Sequence, residues 1–241
     1  VSALNGNLML ANLPDASRVP AFLRNNQVEG LIVKISQYSE LPDTEKHPLI
    51  RNILRFPLVW VWGKPAGAPG DLCSFSHETA AQIAADHLRA KGHRRVACEV
   101  RGLEFRALES ASDRIATWPE PALTSADELR PLVDQWRELP APERPTAVFV
   151  PADNIAIHLY GALESVGLRI PEDLSIISCN YERALIPSFK PTLTTMNVSA
   201  SQIGARGVAQ LLGRLDHTGD QPEQTLLLEP TLVPGSSVAQ L

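Results

Sequence analysis

The sequence predicts an α/β protein in which strands of mostly parallel sheets alternate with helices. Two short apolar runs, residues 146–150 and 174–178, have the length and composition of buried strands. Between them, apolar residues recur at helical spacing over residues 154–166, and Gly167 can end that helix. A strand, a helix and a second strand in this order form a right-handed crossover. Repetition of this alternation along the chain predicts the fold class.

The remaining elements follow from the same patterns, taken in chain order. We predict further strands at residues 7–12, 31–35, 57–62, 72–75, 96–100, 114–118 and 224–229, and one that begins at residue 232. We predict further helices at residues 17–26, 49–54, 77–91, 125–139 and 199–215. Ser76 can cap the helix that follows it, and Gly92 can end that helix.

Composition excludes several classes of protein. The chain has 241 residues, 44% hydrophobic and 20% charged, as is typical of a soluble globular protein with a sizeable core. The net charge is −5 and there is no basic stripe, so we do not expect this chain to hold nucleic acid by itself. Three scattered cysteines favour buried thiols over a disulfide framework. We expect no membrane segment and no signal peptide, and therefore a cytoplasmic location.

Enzyme signatures are missing from the sequence. It contains no GxGxxG, phosphate loop, GxSxG or HExxH motif, and its six histidines show no spacing typical of metal ligands. For His93, which invites a catalytic interpretation, we favour a structural role in a loop. We therefore expect no catalytic residues, no metal and no cofactor.

Four segments in order carry a family resemblance. They are residues 145–149, Asp153 ahead of a helix with residues 161–163, residues 170–177, and residues 192–195. Together they resemble the effector-binding core of the lac and galactose repressor family of LacI-type transcriptional regulators, and the resemblance covers nearly the whole chain. It implies a periplasmic-binding-protein-like fold of two lobes, each a mostly parallel sheet flanked by helices.

The resemblance also implies where the lobes divide. Residues 1–75 and 197–226 form the N-terminal lobe, residues 76–196 and 227–241 form the C-terminal lobe, and a ligand lies in the cleft between them. Family members carry a DNA-reading helix-turn-helix, a first strand and a first helix ahead of this point, and these are not in the sequence. We therefore expect residues to be missing before Val1, and also near residues 101–116, where the chain is short.

Five residues are candidate ligand contacts. Ligands of such sheets bind beyond the carboxyl ends of the strands, where Asp153, Asn180 and Tyr181 lie in the sequence. For Asp153 the alternative interpretation is a helix cap. The resemblance places Arg106 as an arginine that reaches the ligand, with Arg101 as its rival. Trp62 offers a face for a ring, although a core tryptophan is nearly as well supported.

One carboxylate, one guanidinium and one aromatic face favour a neutral, hydroxyl-rich ligand. We expect a sugar or sugar derivative, with a purine or nucleoside as the second choice. The partners implied by the resemblance are this effector, operator DNA bound through the helix-turn-helix, and a second copy of the chain in a homodimer. For the dimer we expect a contact along residues 154–166, which include Ile157 and Tyr160, together with elements of the N-terminal lobe. The alternatives are a sugar-binding protein of a transport system and an α/β enzyme that acts on a sugar or nucleoside.

Overall fold

The computed structural model describes residues 7–11, 18–34, 48–65, 67–99, 114–118, 125–216 and 221–241. The chain divides into two compact units. The first unit comprises Val1–Cys73 and Gly204–Leu226, and the second comprises Ser74–Ile203 and Leu227–Leu241. The chain re-enters the first unit at Gly204, inside a helix, and leaves it after Leu226.

The first unit is built on a four-stranded sheet in the order β1-β2-β3-β9. Its strands are β1 Leu31–Lys34, β2 Leu58–Val61, β3 Asp71–Phe75 and β9 Thr225–Leu228. Strand β2 pairs in parallel with both β1 and β3, as expected for strands joined by crossovers. The helices of this part of the chain are α1 Ala21–Arg24, α2 Pro48–Ile53 and α6 Ala200–Asp216.

The core of the first unit centres on Trp60. This side chain is fully buried among apolar residues from α1, α2 and the sheet. Its indole nitrogen donates a hydrogen bond of 2.9 Å to the carbonyl of Pro69. Gly70, at φ +109°, lies against Trp60 and Leu58, so a side chain there would strike the core. The loop before β3 is therefore fixed by the core itself.

An arginine and an aspartate hold α6 to the start of β3. The Arg214 guanidinium donates to both carboxylate oxygens of Asp71, with the Nε–Oδ2 pair at 2.7 Å, and to the carbonyls of Gln221 and Pro222. The amide of Gln224 donates to the same carboxylate at 2.8 Å. Burial alone raises the pKa of Asp71, but Arg214 and the Gln224 amide outweigh it and the pKa lies below its ordinary value.

The second unit is built on a six-stranded sheet in the order β10-β8-β7-β6-β4-β5. The strands are β4 Arg95–Glu99, β5 Arg114–Trp118, β6 Ala147–Val150, β7 Ser175–Cys179, β8 Thr194–Asn197 and β10 Thr231–Val233. All pair in parallel except β10, which is antiparallel to β8. The helices are α3 His77–Ala90, α4 Ala126–Glu138, α5 Asp153–Ser165 and a 3-10 turn at Ile186–Ser188.

One face of helix α5 packs into the core of the second unit. Leu159, Ala162 and Leu163 are buried, and so is Tyr160, whose hydroxyl donates to the carbonyl of Pro191 at 3.1 Å. The Tyr160 ring lies edge-on against Phe189, with 5.0 Å between the ring centroids. We expected Tyr160 in a surface reserved for a second copy of the chain. That assignment is wrong, because the hydroxyl finds its partner inside the unit.

The C-terminal segment is tied to the second unit by buried polar groups. The Ser237 hydroxyl donates to the Ile176 carbonyl at 2.6 Å and accepts from the Thr194 amide at 2.8 Å. His93 is 1% exposed, with Nε2 at 3.2 Å from the Ala239 carbonyl and Nδ1 at 3.0 Å from the Thr146 hydroxyl. His93 is therefore a structural residue of a loop, as we expected.

Several boundaries differ from the sequence-based prediction. Residues 7–11 lie outside regular structure and are exposed, whereas we expected a strand at residues 7–12. The first helix is only the single turn Ala21–Arg24. Strand β8 was not predicted, although residues 192–195 belong to the family resemblance, and the other described strands and α-helices lie within one or two residues of the predicted bounds. All three cysteines are buried, as predicted.

Mutation of Arg214 in the buried Asp71–Arg214 pair should cause a large loss of stability. Arg214→Ala leaves a buried carboxylate without its cation, which costs about 3–5 kcal/mol of unfolding free energy. The control is Arg137→Ala, which removes an exposed pair with Asp134 on a helix and costs less than about 1 kcal/mol. Urea unfolding followed by circular dichroism measures both. Similar midpoints for the two variants would contradict this role for Arg214.

Because His93 is buried, we expect the folded protein to lose stability in mild acid. Burial holds the pKa of His93 below its ordinary value of 6.5, and the pKa of His87 is lowered for the same first reason. Below pH 6.5 the unfolded chain therefore binds more protons than the folded chain, so stability falls as the pH drops. His93→Gln should show a smaller loss between pH 7.5 and pH 5.5 than the wild type, measured as unfolding free energy. The control is His158→Gln. If His93→Gln loses as much unfolding free energy over this pH range as the wild type does, His93 is not a source of the acid sensitivity.

Candidate functional site

Parallel pairing brings the ends of three strands of the second unit together. Val150 at the end of β6 pairs with Ser178 of β7, which in turn pairs with Thr195 of β8. Helix α5 begins with Asp153, three residues beyond β6. Asn180 and Tyr181 follow β7 directly. The carboxyl ends of these strands are where α/β sheets bind ligands, and Asp153, Asn180 and Tyr181 all lie there.

The Asp153 carboxylate joins these strand ends. Its Oδ1 accepts hydrogen bonds from the hydroxyls of Ser178 and Thr195, each at 2.8 Å. Its Oδ2 accepts from the backbone amide of Glu182 at 2.6 Å. A carboxylate offers about four acceptor positions. Three are filled by described residues, and the remaining position is on Oδ2.

Asp153 is not a helix cap. The capping position before α5 is Ala152, which forms no side-chain cap, and the Asp153 side chain turns instead towards β7 and β8. The interpretation of Asp153 as a cap is therefore wrong. A capping side chain must reach backward to amides of its own first turn, whereas this carboxylate is occupied by partners from three other segments.

Asp153 is also an unusual place for a charge, since the residue is 0% exposed. Burial raises the pKa of its carboxyl group, and the hydrogen bonds from Glu182, Thr195 and Ser178 act in the opposite direction. Among the described residues, no lysine or arginine pairs with this carboxylate. The negative charge is therefore compensated here by neutral donors, which makes each of the three hydrogen bonds important.

Asn180 and Tyr181 form a turn with two consecutive left-handed residues. Their φ angles are +103° and +52°. Asparagine adopts such angles readily, whereas tyrosine does so at a cost of about 1–2 kcal/mol. The Asn180 amide donates to the Met196 carbonyl at 3.0 Å, and the next amide but one, that of Glu182, is held by Asp153. Strained residues persist where the surroundings over-determine them, and such residues cluster at ligand sites.

Trp62 lies at a strand end of the first unit. It follows β2, has φ +72°, and its amide donates to the Cys73 carbonyl at 3.2 Å. The Lys34 ammonium group, at the end of β1, lies 5.5 Å from the centroid of the Trp62 ring. The ring is half-buried, unlike that of Trp60. Trp62 is therefore not a core residue, and the positive charge of Lys34 lies beside the face of its ring.

Arg106 and its rival Arg101 lie outside the described residues. The structure brings Asp153, Asn180 and Tyr181 together within one unit, and it places Trp62 in the other. In the described ranges, no group of three or more metal-ligating side chains could hold a metal ion. The helices described there include none long and apolar enough to cross a membrane.

Two residues of the site were missed by sequence reasoning. Ser178 was assigned to the end of a strand, and Thr195 to a family motif, without a role for either hydroxyl. A signal was present, because a serine and a threonine near the ends of two strands follow an aspartate that lies just beyond the end of a third strand. Polar side chains at buried strand ends need partners, and here they find one another.

A family model with the description "periplasmic binding protein-like domain" matches residues 85–238. The chain is 28% identical over 253 residues to the HTH-type transcriptional repressor PurR of Edwardsiella ictaluri, covering 95% of this chain and 68% of the repressor.

Solved structures share the fold. A LacI family transcriptional regulator from Enterococcus faecalis with bound ribose superposes with a TM-score of 0.71 at 23% identity, covering 89% of this chain and 79% of that one. The complex of the transcriptional regulator CelR with cellobiose gives a TM-score of 0.70 at 20% identity, covering 90% and 68%. The chain belongs to the periplasmic binding protein-like family, as the ligand-responsive, effector-binding core of a LacI-type transcriptional regulator.

Proposed function

We propose that the effector is a neutral sugar or sugar derivative and that it binds at the carboxyl ends of β6, β7 and β8. The observation that carries this proposal is the Asp153 carboxylate. It is buried and fixed by three donors, and one acceptor position on Oδ2 is not filled by described residues. A ligand hydroxyl that donates to this position would form a hydrogen bond to a charged group, which is among the stronger kinds in proteins.

The side chains beside Asp153 fit a hydroxylated ring. Asn180 offers both an amide donor and a carbonyl acceptor, as ring hydroxyls require. The half-buried Tyr181 offers an aromatic face and a hydroxyl. Trp62 and Arg106 remain candidate contacts that rest on the sequence and its family resemblance alone. The ribose and cellobiose bound by the two regulators of the same fold support a sugar, and the aromatic faces keep a purine or nucleoside as the second choice.

We infer binding rather than catalysis, although Ser178 beside Asp153 has the composition of a nucleophile and its base. The Ser178 residue is 0% exposed and its hydroxyl shares Oδ1 with the hydroxyl of Thr195. Burial does not by itself decide between the two roles, because Asp153 is 0% exposed as well, and it is the repressor relative that favours a binding role for this site. The amide of Asn180 and the ring and hydroxyl of Tyr181 suit ligand binding, which also disfavours the enzyme alternative. A transport-associated sugar-binding protein shares the fold, and the repressor relative favours regulation over transport.

Isothermal titration against a panel of sugars and nucleosides tests the proposed ligand. We expect a neutral sugar to bind best, and Asp153→Asn to weaken that binding by about tenfold to a hundredfold, because the amide cannot accept as a carboxylate does. The matched control is Asp173→Asn, which makes the same change at an exposed pair with Arg169. Heat release that continues after saturation would instead indicate turnover.

Two outcomes of this titration count against the proposal. If Asp153→Asn binds the best ligand as tightly as Asp173→Asn, the site is misplaced. If no sugar or nucleoside binds the wild type, the ligand class is wrong. Thermal unfolding must accompany the titration, since Asp153→Asn replaces one of the two acceptor oxygens by an NH2 group, and a buried donor left without its acceptor costs about 1–3 kcal/mol of unfolding free energy.

We further propose operator DNA and a second copy of the chain as partners. The repressor relative, which is of the HTH type, supports the DNA. The net charge of −5 supports recognition by a separate helix-turn-helix rather than by the residues described here.

The proposed homodimer is tested by light scattering of the chain at micromolar concentration. We expect twice the mass of a single chain, with a two-fold contact that includes the part of α5 around Ile157. Tyr160 does not contribute to this contact because its side chain is buried in the core. A single-chain mass across this concentration range would contradict the dimer.

A further inference from the structure

Two hydroxyl groups orient the Asp153 carboxylate. Ser178 and Thr195 are paired neighbours on β7 and β8, both are 0% exposed, and both donate to Oδ1 at 2.8 Å. A carboxylate oxygen accepts about two hydrogen bonds, so Oδ1 is saturated. Because Oδ1 is held from two strands, the carboxylate cannot rotate without breaking both bonds. Its other oxygen, Oδ2, is thereby aimed in one direction.

That direction is the turn after β7. Oδ2 accepts from the Glu182 amide at 2.6 Å, and Glu182 directly follows the two left-handed residues Asn180 and Tyr181. The Glu182 carbonyl in turn accepts from the amides of Leu185 and Ile186, at 2.7 and 3.2 Å. The strained turn is therefore anchored at Glu182 by a carboxylate that is itself fixed by Ser178 and Thr195.

We propose that Ser178 and Thr195 are positioning residues of the effector site, which act through Asp153 to hold the Asn180–Tyr181 turn in its binding conformation. The inference rests on the proposed function to the extent that the turn contacts the ligand. Without the two hydroxyls, the carboxylate is free to rotate and the turn loses its anchor. The left-handed residues can then relax to less strained angles, at the expense of the ligand site.

The neighbouring threonine provides a matched comparison within the chain. Thr194 precedes Thr195 in β8, is 1% exposed, and directs its hydroxyl to the other side of the strand, where it accepts from the Gly235 amide at 3.0 Å. Ser175 likewise matches Ser178, since it is buried in β7 and accepts from the Ala239 amide at 2.9 Å. Both control residues tie down the C-terminal segment and make no bond to Asp153.

Hydrogen exchange of the ligand-free protein tests the positioning role. In Thr195→Val and Ser178→Ala, we expect peptides over residues 179–189 to exchange about tenfold faster than in the wild type, the effect of losing one hydrogen bond to a charged group. Thr195→Ser, which keeps the hydroxyl, should restore slow exchange. Thr194→Val and Ser175→Ala should leave this segment at the wild-type rate. Equal acceleration in Thr195→Val and Thr194→Val would overturn the proposal, as would no acceleration in Ser178→Ala.

Titration with ribose over a range of pH gives a second readout, which a purely structural role would not move. Removal of a donor to Asp153 raises the pKa of its carboxyl group further. Because the proposed contact needs the ionised carboxylate, lowering the pH should weaken ribose binding, and in Thr195→Val this weakening should begin at a higher pH than in the wild type. At neutral pH the affinity should be about tenfold lower, and Thr195→Ser should restore it. Ribose binding by Thr195→Val with the wild-type affinity and pH profile would overturn the proposal.

The two proposals fail separately. A wild-type protein that binds neither ribose nor any other compound of the panel contradicts the proposed function. The exchange rates of residues 179–189 still decide the role of Ser178 and Thr195 in that case, because they are measured without ligand. If Thr195→Val does not fold, Ser178→Ala removes the other bond to Oδ1 with a smaller change in volume.

Discussion

A buried carboxylate held by neutral donors is the constraint on which the candidate site depends. Asp153 carries its charge out of water without a cationic partner among the described residues. Desolvation of a charge is costly, and only well-placed hydrogen bonds offset it. Those bonds come from β7, β8 and the turn after β7, so the ends of two strands and a loop are fixed relative to α5. The hydrogen bonds that offset the cost of burying this charge therefore also order the proposed ligand-binding edge.

The first unit uses a buried carboxylate differently. Asp71 is paired with the Arg214 guanidinium, which makes further bonds to two carbonyls, and the pKa of Asp71 lies below its ordinary value. Burial dominates at Asp153 and raises the pKa there. Each carboxylate accepts three hydrogen bonds from described residues, but the charge of Asp71 is neutralised by arginine, whereas that of Asp153 is balanced only by two hydroxyls and an amide. This difference separates a structural aspartate from a candidate binding residue.

The alternation of strands and helices was predictable, because parallel strands that are buried on both faces have nearly continuous apolar sequences. The position of Asp153 beyond β6 was predictable for the same reason. Its partners were not, since Ser178 and Thr195 are 25 and 42 residues away and meet it only through the strand register. Tyr160 was misassigned because a long apolar stripe is the same in sequence whether a core or a second subunit covers it. Residues 7–11 have a strand-like sequence, but β-propensity reflects how well a segment packs against neighbouring strands. In the described structure these residues are exposed and pair with no strand.

We propose that the strand ends around Asp153 form the effector site. Nuclear magnetic resonance of the labelled protein during titration with the best-binding sugar is the sharpest test, because backbone amides report where the ligand lies. We expect the largest chemical-shift changes on the amides of Asn180, Tyr181 and Glu182, and a change of the Asp153 carboxyl carbon with them. Saturable shifts confined to other parts of the chain, with these four signals unmoved, would contradict this proposal.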